Sequence, residues 1–94
     1  MKLDFNDHLK NLRGLSQSVK ALEAIQSVLE MGSTQDEKYL DKKKLWAKSL
    51  DESGVIEIDK VDAEVLRQWV INSSLVDYAK VHLKDYIKGE IDKE

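Results

Sequence analysis

The segment over residues 50–65 constrains the fold most, because stretches with helical spacing of apolar residues lie on both sides of it. It contains Gly54 and then residues 55–58, the one run rich in strand-forming residues. Asp59 and Asp62 follow, and aspartate is favoured at the start of a helix. The segment therefore predicts a helix end, a short extended run and a new helix start.

Apolar residues at helical spacing predict four helices. The first is expected from Ser16 or Ser18 to Gly32, and Gly89 is expected to close the last. Thr34 and Glu37 have the spacing of a capping box at the start of the second helix. The expected helices therefore cover about 16–32, 35–50, 61–71 and 74–88, with Ser74 as a cap of the fourth.

Residues 3–15 fit two alternatives. Leu3 and Phe5 alternate with polar residues, as in a strand that enters a turn at Gly14, whereas Phe5, Leu9 and Leu12 also have helical spacing. The predicted fold class is mainly α, a compact four-helix domain over residues 1–89 with a polar C-terminal tail over 90–94. The extended segments near 3–6 and 55–58 offer a short two-stranded β element.

Composition excludes several classes of protein. The chain has no cysteine, so it has no disulfide and no thiolate metal cluster. Its 15 basic and 18 acidic residues are spread evenly and give a net charge of −3, which disfavours binding to nucleic acid. No apolar run is long enough for a membrane span or a signal peptide. We therefore expect a cytoplasmic protein that does not contact a membrane.

No motif for catalysis or for a cofactor is present. The chain has neither Gly-x-Ser-x-Gly nor a phosphate-binding glycine loop. Asp51, Ser53 and Gly54 imitate part of a calcium-binding loop, but Ser49 and Lys60 stand where that loop needs carboxylates. We therefore predict no enzyme activity, no cofactor, no metal site and no small-molecule ligand.

The fourth predicted helix carries an apolar stripe wide enough to contact two neighbours. A domain of this size buries apolar surface that barely offsets its conformational entropy, so a shared interface is expected to add stability. The partner predicted for this protein is therefore another protein, and first of all a second copy of itself. The predicted interaction surface consists of Tyr78, His82, Leu83 and Tyr86.

A small DNA-binding regulator is the alternative. Residues 61–88 have the layout of a helix-turn-helix, in which the second helix enters the major groove. The candidate nucleic-acid contacts are Lys80, Lys84 and Lys88, which recur at four-residue spacing. Acidic residues on the same helix dilute this positive charge, and no Asn, Gln or Arg is there to read base edges.

The chain also resembles a family of small uncharacterised proteins encoded by tailed phages and prophages. The resemblance covers most of the chain and lies in the opening Met1-Lys2-Leu3-Asp4-Phe5-Asn6, in Gly14, in Trp46-Ala47-Lys48, in Gly54-Val55-Ile56-Glu57 and in Leu75-Val76. This chain lacks the longer hairpin after the first glycine that is usual in that family, and it lacks the proline that the family often has near the last break. The resemblance implies a cytoplasmic protein of an infected or lysogenic bacterium, and it implies no catalytic residue.

Overall fold

The structure, a computed structural model, describes residues 1–32 and 35–94. Strands β1 (Lys2–Asp4), β2 (His8–Lys10) and β3 (Ser16–Lys20) open the chain. They are followed by helices α1 (Ala21–Met31) and α2 (Glu37–Ser53), strand β4 (Val55–Glu57), and helices α3 (Lys60–Ile71) and α4 (Asp77–Asp92). The strands form two antiparallel pairs, β1 with β4 and β2 with β3.

The prediction of a mainly α four-helix domain is wrong. Within the described residues the fold is mixed, with four helices and two separate two-stranded antiparallel sheets. The segments near 3–6 and 55–58 meet as β1 and β4, with Leu3 opposite Ile56. The second sheet contains Ser16 and Ser18, where the first helix was expected to begin, and that helix begins only at Ala21.

A turn stabilised by Asn11 makes this second sheet possible. The Asn11 side-chain oxygen accepts hydrogen bonds from the backbone N–H groups of Arg13 (2.9 Å) and Leu15 (3.1 Å). Gly14 adopts a left-handed conformation with φ of +82°, which a residue with a side chain rarely adopts. The chain therefore reverses direction between β2 and β3, and residues 3–15 form strands and a turn instead of a helix.

The helix starts follow the capping rules in part. Asp36 caps α2 by accepting a hydrogen bond from the backbone of Lys38, and Thr34 of the expected capping box lies outside the described residues. Asp59 caps α3 by accepting from the backbone of Asp62, which confirms the predicted start of this helix. The predicted cap at Ser74 is wrong, because α4 begins after Val76 and has no side-chain cap.

The predicted end of α4 at Gly89 is also wrong. The helix continues to Asp92, and Ile91 is buried. Leu83, Ile87 and Ile91 recur every four residues and lie on one buried face, so burial of Ile91 holds the helix together past the glycine. Residues 90–92, which were predicted to lie in the polar C-terminal tail, therefore belong to α4.

The N-terminal strands supply much of the core. Leu3, Phe5 and Leu9 are fully buried and belong to the same apolar cluster as Leu66 of α3 and Leu83 of α4. Helix α4 packs against α3 and also against β2. The second side of its wide apolar stripe is thus covered by the strands that precede α1.

Candidate contact surface around the first hairpin

The predicted interaction surface on α4 is occupied by contacts within the chain. Leu83 is fully buried, and Tyr78 is partly buried against the core. The backbone N–H of Asp4 donates a 2.7 Å hydrogen bond to the Tyr86 hydroxyl, and the Tyr86 ring packs edge-on against Phe5 with centroids 5.6 Å apart. Burial raises the pKa of Tyr86 above its ordinary value.

His82 is held in the same way. Its Nδ1 accepts a 3.1 Å hydrogen bond from the backbone N–H of Lys10 in β2, so this nitrogen carries no proton. Burial, and then the nearby charge of Lys10, lower the pKa of His82, while Asp7 and Asp85 act in the opposite direction. Tyr86 and His82 therefore fasten α4 to β1 and β2, and a free contact surface has to be sought elsewhere.

The three candidate nucleic-acid contacts do not form a uniform basic surface. Lys84 forms an ion pair with Asp85 at 2.8 Å, and Lys88 forms one with Asp92 at 3.1 Å. Lys80 and Lys84 line a shallow groove together with apolar side chains and with one acid. The groove has a volume of about 350 Å³ and is lined by Leu12, Ile71, Asp77, Lys80, Val81 and Lys84.

The tip of the β2–β3 hairpin exposes two large apolar side chains. Leu12 is 68% exposed and Leu15 is 56% exposed, although they lie in one short turn. Val76, which is 60% exposed, immediately precedes Asp77 of the groove that Leu12 lines. Exposed apolar side chains grouped in one turn are typical of surfaces that contact another protein.

Strand β3 has an open backbone edge. Its sheet contains only β2 and β3 in the part of the chain that the structure describes. The other side of β2 faces α4, since His82 binds the backbone of Lys10 there. Ser16, Ser18 and Lys20 are exposed, while Gln17 and Val19 are half-buried. An exposed strand edge is a template for pairing with another chain. No proline blocks this edge, although the pairing of β3 with β2 is irregular between His8 and Lys10.

A buried charged cluster lies between α2 and α3 and was not found from the sequence. The Asp62 carboxylate accepts hydrogen bonds from Lys42 and, at 3.0 Å, from the Tyr39 hydroxyl. Burial raises the pKa of Asp62, but these two hydrogen bonds and the positive charges of Lys42 and Lys38 together outweigh it and lower the pKa below its ordinary value. Tyr39 and Lys42 share a helix face opposite a helix-start aspartate, and this spacing is the signal that could have revealed the cluster.

Among the described residues, no three carboxylate or imidazole side chains come together as a group that could hold a metal ion. Across residues 1–32 and 35–94, no helix is both long and apolar enough to cross a membrane. Comparisons with protein-family models, with curated proteins and with solved structures give no match.

Proposed function

We propose that this protein acts by protein–protein interaction and self-associates by pairing the open edges of two β3 strands. The setting is that implied by the resemblance to phage and prophage proteins, the cytoplasm of a bacterial host. The observation that supports this proposal is the open edge of β3 beside the exposed Leu12 and Leu15. In this function the protein binds a partner and catalyses no reaction.

The sequence of β3 is complementary to itself when two copies run antiparallel. A two-fold axis through Ser18 pairs all five strand residues, with Ser16 opposite Lys20 and Gln17 opposite Val19 of the second copy. No like charges face each other, since Lys20 meets a serine. Shifting the axis to Gln17 or Val19 would leave part of the strand unpaired, so the Ser18 register is favoured.

Apolar contacts add to this pairing. Gln17 and Val19 are the two half-buried residues of β3, so they lie on one face of the strand, and the exposed Leu15 immediately precedes it. In the paired strands this face continues across the two-fold axis and brings the half-buried and exposed apolar side chains of both copies together. The backbone hydrogen bonds between the two β3 strands fix their antiparallel orientation. Leu12 and Leu15 add apolar area that is exposed in the monomer.

One observation favours the alternative of a DNA-binding regulator, namely that Lys80 and Lys84 line the same groove. Asp77 lines that groove as well, and Lys84 is paired with Asp85. A duplex binder needs lysines that neutralise phosphates, and these acids reduce the available positive charge. Binding of duplex DNA by a monomer, with affinity falling steeply as salt rises, would support that alternative against the one proposed.

A disulfide experiment tests the register directly, because the natural chain contains no cysteine. In the proposed dimer the two Ser18 residues face each other, and opposed residues of antiparallel strands have Cα atoms roughly 4.5–5.5 Å apart. That separation permits a disulfide. We expect Ser18→Cys to form covalent dimers under mild oxidation, while the exposed Ser74→Cys control stays largely monomeric.

The result is read on a non-reducing gel at several protein concentrations, beside light scattering of the unmodified protein. Crosslinking of Ser18→Cys that exceeds that of Ser74→Cys at every concentration supports the β3 pairing. Equal crosslinking of the two variants, or a strict monomer at hundreds of micromolar in light scattering, contradicts it.

A further inference from the structure

A second site lies away from the hairpin, where α1 and α3 end beside α2. It is a partly open cavity of about 500 Å³, which is within the range of small-molecule sites. Val28, Met31 and Leu75 give it apolar walls, and Lys43 and Trp69 close one side. The polar groups on its wall are those of Ser27, Gly32, Asn72, Ser73 and Ser74.

Lys43 is the unusual residue of this cavity, because its side chain is charged and the residue is only 7% exposed. Its ammonium donates a 3.1 Å hydrogen bond to the carbonyl oxygen of Gly32, just after the end of α1. It also lies 4.5 Å from the centroid of the Trp69 ring, at the distance of a cation–π contact. These two contacts fix the position of the ammonium at the cavity wall.

The positive charge of Lys43 has no carboxylate to balance it in the described part of the chain. No acidic residue lines the cavity, and the buried Asp62 is bound by Lys42 and not by Lys43. Burial alone lowers the pKa of Lys43, with no nearby carboxylate acting against it. An ammonium that is partly withdrawn from water and has no counter-ion is poorly stabilised, so an anion that enters this cavity gains a favourable contact.

We infer that this cavity binds a small organic carboxylate with an apolar body. A lysine ammonium has three N–H donors, and the Gly32 carbonyl takes one of them. A single point charge without an arginine suits one carboxylate better than a phosphate dianion, which favours several donors. The apolar walls select a ligand whose remainder is aliphatic or aromatic, and the side chains of Asn72 and Ser74 on the wall offer further donors.

This inference departs from the expectation of no small-molecule ligand, and it does not depend on self-association. The direct test uses octanoate as the probe and octanol as its uncharged counterpart. Binding is measured by calorimetry and by the fluorescence of Trp69 in a Trp46→Phe variant, which leaves Trp69 as the only tryptophan. We expect saturable binding of octanoate and at least tenfold weaker binding of octanol.

Lys43→Met removes the charge and keeps most of the packing, and Lys44→Met is the matched control because Lys44 is exposed. We expect Lys43→Met to lose at least about tenfold in octanoate affinity, equivalent to about 1.4 kcal/mol, with octanol affinity unchanged. Lys44→Met should bind both probes as the natural chain does. Leu75→Trp, which fills the cavity and leaves Lys43 in place, should abolish binding of both.

Three outcomes overturn the inference. The first is the absence of saturable binding at millimolar octanoate. The second is octanol binding as tightly as octanoate, which shows that the charge of Lys43 plays no part. The third is full octanoate affinity in Leu75→Trp, which places the binding elsewhere, and this variant decides the question should Lys43→Met fail to fold.

Discussion

Gly54 and Asn6 lie so close together that a β-carbon on Gly54 would stand 2.1 Å from Oδ1 of Asn6. Asn6 holds this position because its side-chain amide donates to the carbonyl of Ser53 at 3.0 Å and to the Asp4 carboxylate at 2.9 Å. The backbone N–H of Phe5 also donates to the carbonyl of Gly54 at 2.9 Å. The end of α2 is thereby fixed against the N-terminal strand.

We predict that Gly54→Ala destabilises the protein by more than about 2 kcal/mol. The left-handed φ of +73° at Gly54 is strained for alanine, at about 1 kcal/mol or more, and the contact with Asn6 adds to this. The measurement is urea unfolding of the variant beside the natural protein. An unfolding free energy within about 0.5 kcal/mol of the natural one would show that the close approach is not maintained.

Two other glycines provide matched controls. A β-carbon at Gly14 would have no atom within 4 Å. Gly14→Ala should therefore lower the unfolding free energy only through the strain of its φ of +82°, by about 1 kcal/mol. Gly89→Ala lies inside α4 with nothing within 4 Å, and it should stabilise the protein by up to about 1 kcal/mol. Destabilisation by Gly89→Ala in the same urea series would contradict the continuation of α4 to Asp92.

His82 should make stability depend on pH. The pKa of His82 is lowered from 6.5 in the folded state, so the unfolded chain binds a proton at this residue more tightly than the folded chain does. The contribution of neutral His82 to the unfolding free energy is therefore fully present above pH 6.5. It is lost as pH falls through the lower pKa that His82 has in the folded state. Protonation also removes the acceptor for the Lys10 amide, a hydrogen bond worth about 1 kcal/mol.

The measurement is thermal unfolding at a series of pH values from neutral to mildly acidic. We expect His82→Gln, whose amide oxygen can replace Nδ1 as an acceptor, to flatten the decline of the melting temperature. His8→Gln is the control, because the exposed His8 has no comparable partner among the described hydrogen bonds, and the decline should persist there. Equal flattening in both variants would rule out a particular role for His82.

Asp62→Asn should destabilise the protein by about 2 kcal/mol at neutral pH, because it weakens two hydrogen bonds to a buried carboxylate. The pKa of Asp62 is lowered from 3.8, so its contribution is full above that value and is lost as pH falls through the folded pKa. The difference between variant and natural protein should therefore shrink in strong acid. Tyr39→Phe, which removes one hydroxyl, should have a smaller effect.

The stability difference is measured by urea unfolding at neutral pH and again below pH 3.8. A difference between Asp62→Asn and the natural protein that stays constant across this range would contradict the role given to the carboxylate.

The parts of the fold predicted from the sequence are those that local signals determine. Helix α3 has a cap at Asp59 and an apolar arc over one face, and both are readable within a dozen residues. The extended run after Gly54 was also expected, because a glycine followed by strand-forming residues is a local pattern. These signals act over short distances in the chain and need no knowledge of what packs against them.

The hairpin and the true role of α4 depend on distant partners. Val19 and Leu22 have helical spacing, yet the strand over 16–20 forms because the Asn11 turn brings it beside β2. His82 and Tyr86 were predicted to belong to an interaction surface, because the residues that contact them, Lys10 and Asp4, lie more than 70 positions away in the sequence. Spacing within one helix cannot show which of its faces a remote strand will cover.

The most direct test of β3 pairing uses two charge changes with opposite expected effects. In the Ser18 register, Ser18→Lys places two ammonium groups opposite each other on the two-fold axis and should weaken the dimer by at least tenfold in dissociation constant. Ser16→Glu places a carboxylate opposite Lys20 of each partner and should strengthen it. Both serines are exposed, so thermal unfolding of the dilute monomer should change little.

The dissociation constants are measured by sedimentation equilibrium of the natural protein and both variants at low and high salt. We predict that Ser18→Lys dissociates more readily, that Ser16→Glu associates more tightly, and that salt narrows the difference between them. Changes of the same sign in both variants, or no association of any of the three proteins at hundreds of micromolar, would contradict self-association through β3.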